Sequence, residues 1–153
     1  MIGQIAKPRK QAMGGIETAE ALGGAAVLGK EVESEIDFVH LVQQGLPASA
    51  IDRLVDLGDL SPAELDEIIP RRTVSHARGR SRLSSELSDR VARAAGTIAF
   101  AHEVFGERVK ANRWLRRSNR VLDDATPLSL LRSGSGAQLV ETILTRIAYG
   151  VYS

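Results

Sequence analysis

The sequence predicts an all-α protein, and three features of the chain support this fold class. Apolar residues recur at helical spacing in several segments that are bounded by capping residues, glycine or proline. No segment shows the alternation that is typical of a strand. Hydrophobic residues make up 43% of the chain but aromatic residues only 4%. The core must therefore consist of Leu, Ile, Val and Ala side chains, which suit closely packed helices.

Residues 1–30 are rich in glycine and alanine and carry Lys7, Arg9 and Lys10 near their start. Each glycine inside a helix costs about 1 kcal/mol relative to alanine. We therefore predict a flexible N-terminal segment over residues 1–30, with room for one short helix from Ile16 to Leu22. Its three cations are interpreted as a solubilising tail rather than as a nucleic-acid contact.

Two short helices are predicted next, over residues 35–44 and 48–57. The first stops before Gly45, and Gly58 supplies the end of the second. Short helices with short connections are typical of a compact bundle.

The clearest local signal in the chain is Ser61-Pro62-Ala63-Glu64. Serine at the N-cap, proline at the first helical position and glutamate three residues after the cap form a capping box. This helix must break at Pro70, and a second helix follows over residues 71–78. Two short helices with a tight turn, the second of them basic, predict a helix-turn-helix domain over residues 31–82.

The second of these helices begins a basic stretch, because residues 71–82 hold five arginines and no acid. On a helix in the major groove, arginine can pair with phosphates or guanine edges, and serine or threonine can contact phosphate. The alternative is a solvated basic helix without a ligand. The DNA-binding candidates are Arg71, Arg72, Thr73, Ser75, His76, Arg78 and Arg80.

A long helix that is capped by Ser84 or Ser85 and reaches Phe105 is predicted to open a C-terminal domain over residues 83–153. A second basic run, Arg108 to Arg120, contains five arginines and Lys110 without an acid. We interpret this run as a solvated face.

Thr126-Pro127 starts a short helix that reaches about Leu131, and residues 133–136 are interpreted as a turn before the final helix. Gly150 lies where a left-handed C-terminal cap is expected. The chain then ends with two tyrosines and no charge, a composition that fits a groove on a partner. The final helix carries an apolar stripe that we assign to the core: Leu139, Val140, Ile143, Leu144 and Ile147.

Several classes of function are excluded by what the sequence lacks. The chain has no cysteine, so disulfides and thiolate metal sites are ruled out. Its three histidines have no partner at metal-ligand spacing, and no nucleophile lies beside a base. We predict neither an enzyme nor a cofactor or metal. No run approaches the ~18 apolar residues that span a bilayer, so we expect a soluble, cytoplasmic protein that does not bind membranes.

The C-terminal landmarks occur in the order Val104-Phe105-Gly106, Ala111-Asn112-Arg113-Trp114-Leu115, Thr126-Pro127-Leu128 and Tyr149-Gly150-Val151. This order resembles the toxin-binding domain of the Xre/MbcA/ParS antitoxins. The run Arg72 to Arg78 is similar to the recognition segment of the Xre-like helix-turn-helix that precedes it in that family. It departs from the family at His76, where a more basic residue is expected.

The resemblance implies an antitoxin of a type II toxin-antitoxin system, with a homodimer inside a hetero-oligomeric toxin-antitoxin complex. Its partner would be a RES-domain toxin that degrades NAD, whose active site the antitoxin's C-terminal region blocks. Through the helix-turn-helix the complex would bind operator DNA and repress its own operon. The toxin-binding residues implied by the resemblance are Trp114, Leu115, Arg146, Tyr149, Gly150, Val151, Tyr152 and Ser153.

Two other interpretations are compatible with the same residues. The chain could be a free-standing helix-turn-helix transcriptional regulator whose C-terminal half dimerises it, because an apolar stripe serves self-association equally well. It could also be a helical adaptor that binds neither DNA nor an enzyme.

Overall fold

The computed structural model describes residues 11–150, and this part of the chain contains helices and no strand. The all-α prediction is therefore confirmed. The α-helices are α1 Gly15–Ala21, α2 Gly24–Leu28, α3 Glu35–Gln44, α4 Ser49–Gly58, α5 Pro62–Ile68, α6 Arg71–Arg78, α7 Ser85–Phe105, α8 Arg108–Leu115 and α9 Gly134–Ala148. Two 3-10 helices, η1 Arg120–Leu122 and η2 Leu128–Arg132, connect α8 to α9.

Helix α7 is the axis on which both halves of the molecule pack. It contacts α1, α3 and α4 from the N-terminal half, and α8, α9 and η2 from the C-terminal half. Its buried positions include many alanines, whose small side chains allow neighbouring helices to approach closely. One hydrophobic cluster consequently runs from Ala19 through α7 to Leu144. The expected division near Arg82 therefore does not separate two independent cores.

Helices α1 and α2 contradict the predicted flexibility in the described part of residues 1–30. Ala19, Leu22 and Leu28 are buried in the common core. The glycines do not weaken the helix interiors, because Gly23 and Gly29 have positive φ and lie at helix ends. The short helix expected from Ile16 to Leu22 is confirmed to within one residue. Residues 1–10, with Lys7, Arg9 and Lys10, lie outside the described residues.

The helix starts that were expected from local signals are present. Ser61 Oγ accepts the Glu64 amide at 3.1 Å, and Glu64 Oε1 accepts the Ser61 amide at 2.9 Å, which closes the capping box of α5. Ser84, one of the two predicted caps, accepts the Leu87 amide at the start of α7. At its C-terminus, α4 ends in left-handed Asp59, one residue after Gly58.

The C-terminal half differs from the prediction at the start of α9 and at one residue of its apolar stripe. Ser133 Oγ accepts the Gly136 amide at 3.0 Å, so the predicted turn over residues 133–136 is the cap and first turn of α9. Val140, Ile143 and Leu144 are buried as expected, but Leu139 is 44% exposed. Its assignment to the core is wrong, because Val140, Ile143, Leu144 and Ile147 already complete the inward face.

Gly136→Ala is expected to destabilise the fold by about 2 kcal/mol and lower Tm by about 5 °C. A methyl group on Gly136 would overlap the Leu130 carbonyl oxygen and lie 2.9 Å from Ser133 Oγ. The matched control is Gly134→Ala in the same helical turn, whose methyl group would meet the Arg93 side chain at an ordinary 3.7 Å. Thermal unfolding followed by circular dichroism measures both variants. Equal Tm values would contradict the close contact between η2 and α9.

Candidate functional surfaces

Helices α5 and α6 form two short helices joined by a two-residue turn at Ile69-Pro70. Val74 and Ala77 face the core, and Asp66 Oδ1 accepts the amide of Arg71 at 2.6 Å. That bond satisfies one of the amides left open at the start of α6. The inward face and the first turn of α6 are therefore fixed, and its remaining side chains point toward solvent.

The outward face of α6 brings most of the predicted DNA-binding residues together. Arg72, Ser75 and His76 are exposed and lie opposite the buried pair Val74 and Ala77. On one flank of this face, Arg71 and Arg78 are also exposed. The other flank carries half-buried Thr73 and exposed Arg80.

The flanking arginines are not equivalent to Arg72. Arg78 Nη1 pairs with Asp52 Oδ1 of α4 at 2.9 Å, so part of its charge is already neutralised. Between Glu67 and Glu86 the sequence contains no acid. Residues 68–85 therefore carry no carboxylate of their own, and Asp52 and Asp66 contact this surface only through Arg78 and the Arg71 amide. A basic surface of this kind suits contact with phosphates and base edges.

The predicted toxin-binding residues fall into four groups. Leu115 is fully buried, so its assignment as a contact residue is wrong; its side chain fills the core. Trp114 is half-buried and packs on Phe105, with ring centroids 5.5 Å apart and planes tilted by 44°. Arg146, Tyr149 and Gly150 are exposed at the end of α9. Val151, Tyr152 and Ser153 lie outside the described residues.

One outward face of α9 carries an exposed stripe that includes two of these residues. Leu139, Thr142, Arg146 and Tyr149 follow one another at spacings of three or four residues and are all exposed. Tyr149 is 58% exposed, and Gly150 after it has φ 73°, the left-handed conformation predicted for it. We call these four residues the α9 outer face. Leu139 is a member that the sequence analysis missed because it adjoins the core stripe.

The second basic run is only in part the solvated face that was predicted: Lys110, Arg113, Arg117 and Arg120 are exposed, but the other two arginines bind the N-terminal half. Arg116 Nε donates to Glu64 Oε2 at 2.7 Å, and Arg116 Nη2 donates to the carbonyl oxygens of Gly58 and Asp59 at 2.6 and 2.7 Å. Arg108 donates to the carbonyl oxygen of Asp56 and, at 3.1 Å, to Asp59 Oδ1. No local pattern indicates these bonds, because their partners lie 49 to 58 residues away along the chain.

Asn112 completes this junction from inside the protein. Its Nδ2 donates to Asp59 Oδ2 at 3.1 Å, and its Oδ1 lies 2.7 Å from His102 Nε2. Burial lowers the pKa of His102, and the bond to Asn112 only partly opposes that effect. The imidazole is therefore neutral at neutral pH and donates its Nε2 proton to Asn112.

Two carboxylates of the junction are held in the charged form. Burial alone would raise the pKa of Glu64, but the hydrogen bond and charge of Arg116, together with the Ser61 amide, leave that pKa below its usual value. The hydrogen bond from Arg108 lowers the pKa of Asp59. Both groups therefore favour an intact junction at neutral pH.

Within residues 11–150, no cluster of three or more histidine, aspartate or glutamate side chains is placed to hold a metal ion. No helix in this part of the chain is long and apolar enough to cross a membrane.

Two family models match the chain in the places where these surfaces lie. Residues 37–96 match the antitoxin Xre-like helix-turn-helix domain, and residues 100–150 match the antitoxin Xre/MbcA/ParS C-terminal toxin-binding domain. The first match contains α6 and ends inside α7; the second contains α8 and α9.

Curated relatives and a solved structure agree with these matches. Antitoxin Xre of Pseudomonas putida is 36% identical over 121 residues, which cover 78% of this chain and 76% of the relative. Antitoxin Xre of Photorhabdus laumondii is 28% identical over 117 residues, covering 74% and 79%. A chain of the crystal structure of the M. tuberculosis MbcT-MbcA toxin-antitoxin complex superposes with a TM-score of 0.51 at 26% identity, covering 69% of this chain and 96% of that chain.

Proposed function

Because the chain belongs to the Xre/MbcA/ParS antitoxin family, we propose that it neutralises a RES-domain, NAD-degrading toxin and represses its own operon. Membership of this family identifies the chain as the antitoxin of a toxin-antitoxin system, with a cognate toxin as its partner. The toxin class, the mode of inhibition and the repression are the proposal. The observation that carries it is the toxin-binding domain match, which contains the α9 outer face.

Inhibition is proposed to occur by contact rather than by catalysis. The α9 outer face offers exposed Leu139 and Tyr149 around the cation of Arg146. Aromatic and arginine side chains supply much of the binding energy in protein interfaces. We assign Val151, Tyr152 and Ser153, which follow Gly150 in sequence, to the entrance of the toxin's active site. Trp114 serves mainly to hold α8 against Phe105, because its ring is half-buried there.

Repression is proposed to occur through the outward face of α6. Arg72, Ser75 and His76 occupy its centre and are the residues that we assign to the major groove. Arg71 and Arg80 lie at opposite edges and are assigned to the phosphates on either side. A homodimer would present two copies of α6 to the two half-sites of a palindrome.

Co-expression with the product of the neighbouring reading frame tests this function. We expect the neighbour alone to stop growth and deplete cellular NAD, and the full chain to restore both. A chain truncated after Ala148, the last residue of α9, should fold but fail to restore growth. Circular dichroism of the purified truncated chain is the control for folding.

Each alternative outcome contradicts a different part of the proposal. Growth arrest without NAD loss would exclude the NAD-degrading toxin class. Full rescue by the folded, truncated chain would exclude inhibition through the C-terminal residues. A harmless neighbour that does not co-purify with the chain would exclude that neighbour as the toxin and favour a free-standing regulator.

A further inference from the structure

The junction between the α8 region and the helix-turn-helix contains a network of side-chain hydrogen bonds and ion pairs. Arg116 alone makes two bonds to Glu64 and two to the backbone carbonyls of Gly58 and Asp59. Its side chain is 29% exposed and that of Glu64 is 24% exposed, so this ion pair is largely shielded from water. A bidentate, partly buried arginine-carboxylate pair fixes geometry as well as adding energy.

Carbonyls at the C-terminus of α4 accept hydrogen bonds from Arg108 in α8 and from Arg116, the residue that follows α8. A helix leaves its last carbonyls without partners inside the helix, and cations are favoured there by the helix dipole. Arg116 satisfies Gly58 and Asp59, and Arg108 satisfies Asp56. The turn that leads from α4 into α5 is thus capped by residues that lie 52 to 58 positions later in the sequence.

Glu64 links this cap to the start of α5. Its Oε1 accepts both the Ser61 amide of the capping box, at 2.9 Å, and Arg116 Nη2, at 3.1 Å. Helix α5 has seven residues and α6 has eight. Isolated helices of this length are marginal in water, so their placement depends on tertiary contacts.

We propose that Arg116, which lies in the toxin-binding half, is a positioning residue for the helix-turn-helix. It fixes the end of α4 and the start of α5, and α6 follows after a two-residue turn. The functional DNA-binding unit therefore includes α8 and does not end near Arg82. This inference rests on the proposed function in one respect, namely that α6 is the helix that contacts DNA.

Hydrogen-deuterium exchange of the full-length chain tests the positioning role without any DNA. In Arg116→Gln we expect amides between Asp59 and Arg78 to exchange about tenfold faster, while those of α9 keep their rates. The matched control is Arg117→Gln, which removes the same charge from an exposed neighbour. A second variant, Glu64→Gln, should accelerate the same segment, and adding Arg116→Gln to it should have a smaller effect than Arg116→Gln alone.

The functional readout is binding to a duplex from the region directly upstream of the chain's own reading frame, with a scrambled duplex as reference. We expect Arg116→Gln to bind the upstream duplex about tenfold more weakly than the wild type, with capture of the co-expressed toxin unchanged. A variant that merely loses stability would exchange faster in α9 as well and would lose toxin capture.

Unchanged exchange between Asp59 and Arg78, or equal acceleration in α9, would overturn the proposal. Wild-type affinity of folded Arg116→Gln for the upstream duplex would also overturn it. If the wild-type chain does not discriminate the upstream duplex from the scrambled one, operator binding is wrong, and the exchange rates still decide whether Arg116 positions α5 and α6.

Discussion

Leu139→Asp is expected to abolish toxin neutralisation while leaving the antitoxin folded. Leu139 is 44% exposed on the α9 outer face, so a carboxylate at this position stays in water in the free protein. In the proposed complex, the same carboxylate would be buried against the toxin beside Tyr149, with no group placed there to pair with its charge. Burying an unpaired charge or losing a central interface residue commonly costs about 2–4 kcal/mol. That cost corresponds to a loss of affinity of roughly 30- to 1,000-fold.

Ile36→Asp provides the matched control for this substitution. Ile36 is 56% exposed on α3, in the helix-turn-helix half, and the variant introduces the same charge on an aliphatic residue that is also exposed. Growth rescue and the Kd for the purified toxin are to be measured for both variants. We expect rescue to fail for Leu139→Asp and to persist for Ile36→Asp. Equal rescue by the two variants would show that the toxin binds another part of the C-terminal domain.

The parts of the fold that the sequence predicts are those set by interactions within a few residues. The capping box of Ser61 and Glu64 joins groups three residues apart, and the cap at Ser84 has the same span. Gly150 takes the left-handed conformation expected after a helix. In each case the residues that form the pattern also form the hydrogen bond, so the pattern predicts the local structure.

The parts that the sequence does not predict depend on which distant surface a residue meets. Arg116 and Arg117 are neighbours with the same side chain, yet the first bonds to Glu64 and the second is exposed. The composition of a run of arginines is the same whether its side chains bond to another helix or face solvent. Leu115 and Leu139 show the same limit for apolar residues, since each lies on an amphipathic helix and only the packing of α8 and α9 decides which one is buried.

The N-terminal helices illustrate a third limit. The helix penalty of glycine applies to helix interiors, and it vanishes where glycine ends a helix with positive φ, as Gly23 and Gly29 do. Leu22 and Leu28 are then placed in the core formed by later helices. This segment is therefore ordered by its packing against the later helices.

Arg72→Ala is expected to abolish repression of a reporter placed behind the chain's own upstream region. Arg72 lies at the centre of the outward face of α6, opposite Val74 and Ala77. A bidentate arginine contact to guanine contributes about 1–3 kcal/mol of discrimination, and a phosphate contact is lost with similar consequences for repression. We expect the affinity for the upstream duplex to fall by roughly 10- to 100-fold. Toxin neutralisation should be unchanged, because Arg72 is not on the α9 outer face.

Arg78→Ala is the matched control, because it removes the same side chain from the same helix. Arg78 already pairs with Asp52 at 2.9 Å, so its loss should reduce affinity by only a few-fold. Titrations at several salt concentrations separate the two possible roles of Arg72. The slope of log K against log salt is negative, and a lost phosphate contact lowers its magnitude by about one. A lost base contact leaves the slope unchanged and weakens discrimination against the scrambled duplex. Full repression by Arg72→Ala would place the DNA contact on a different face of the helix-turn-helix.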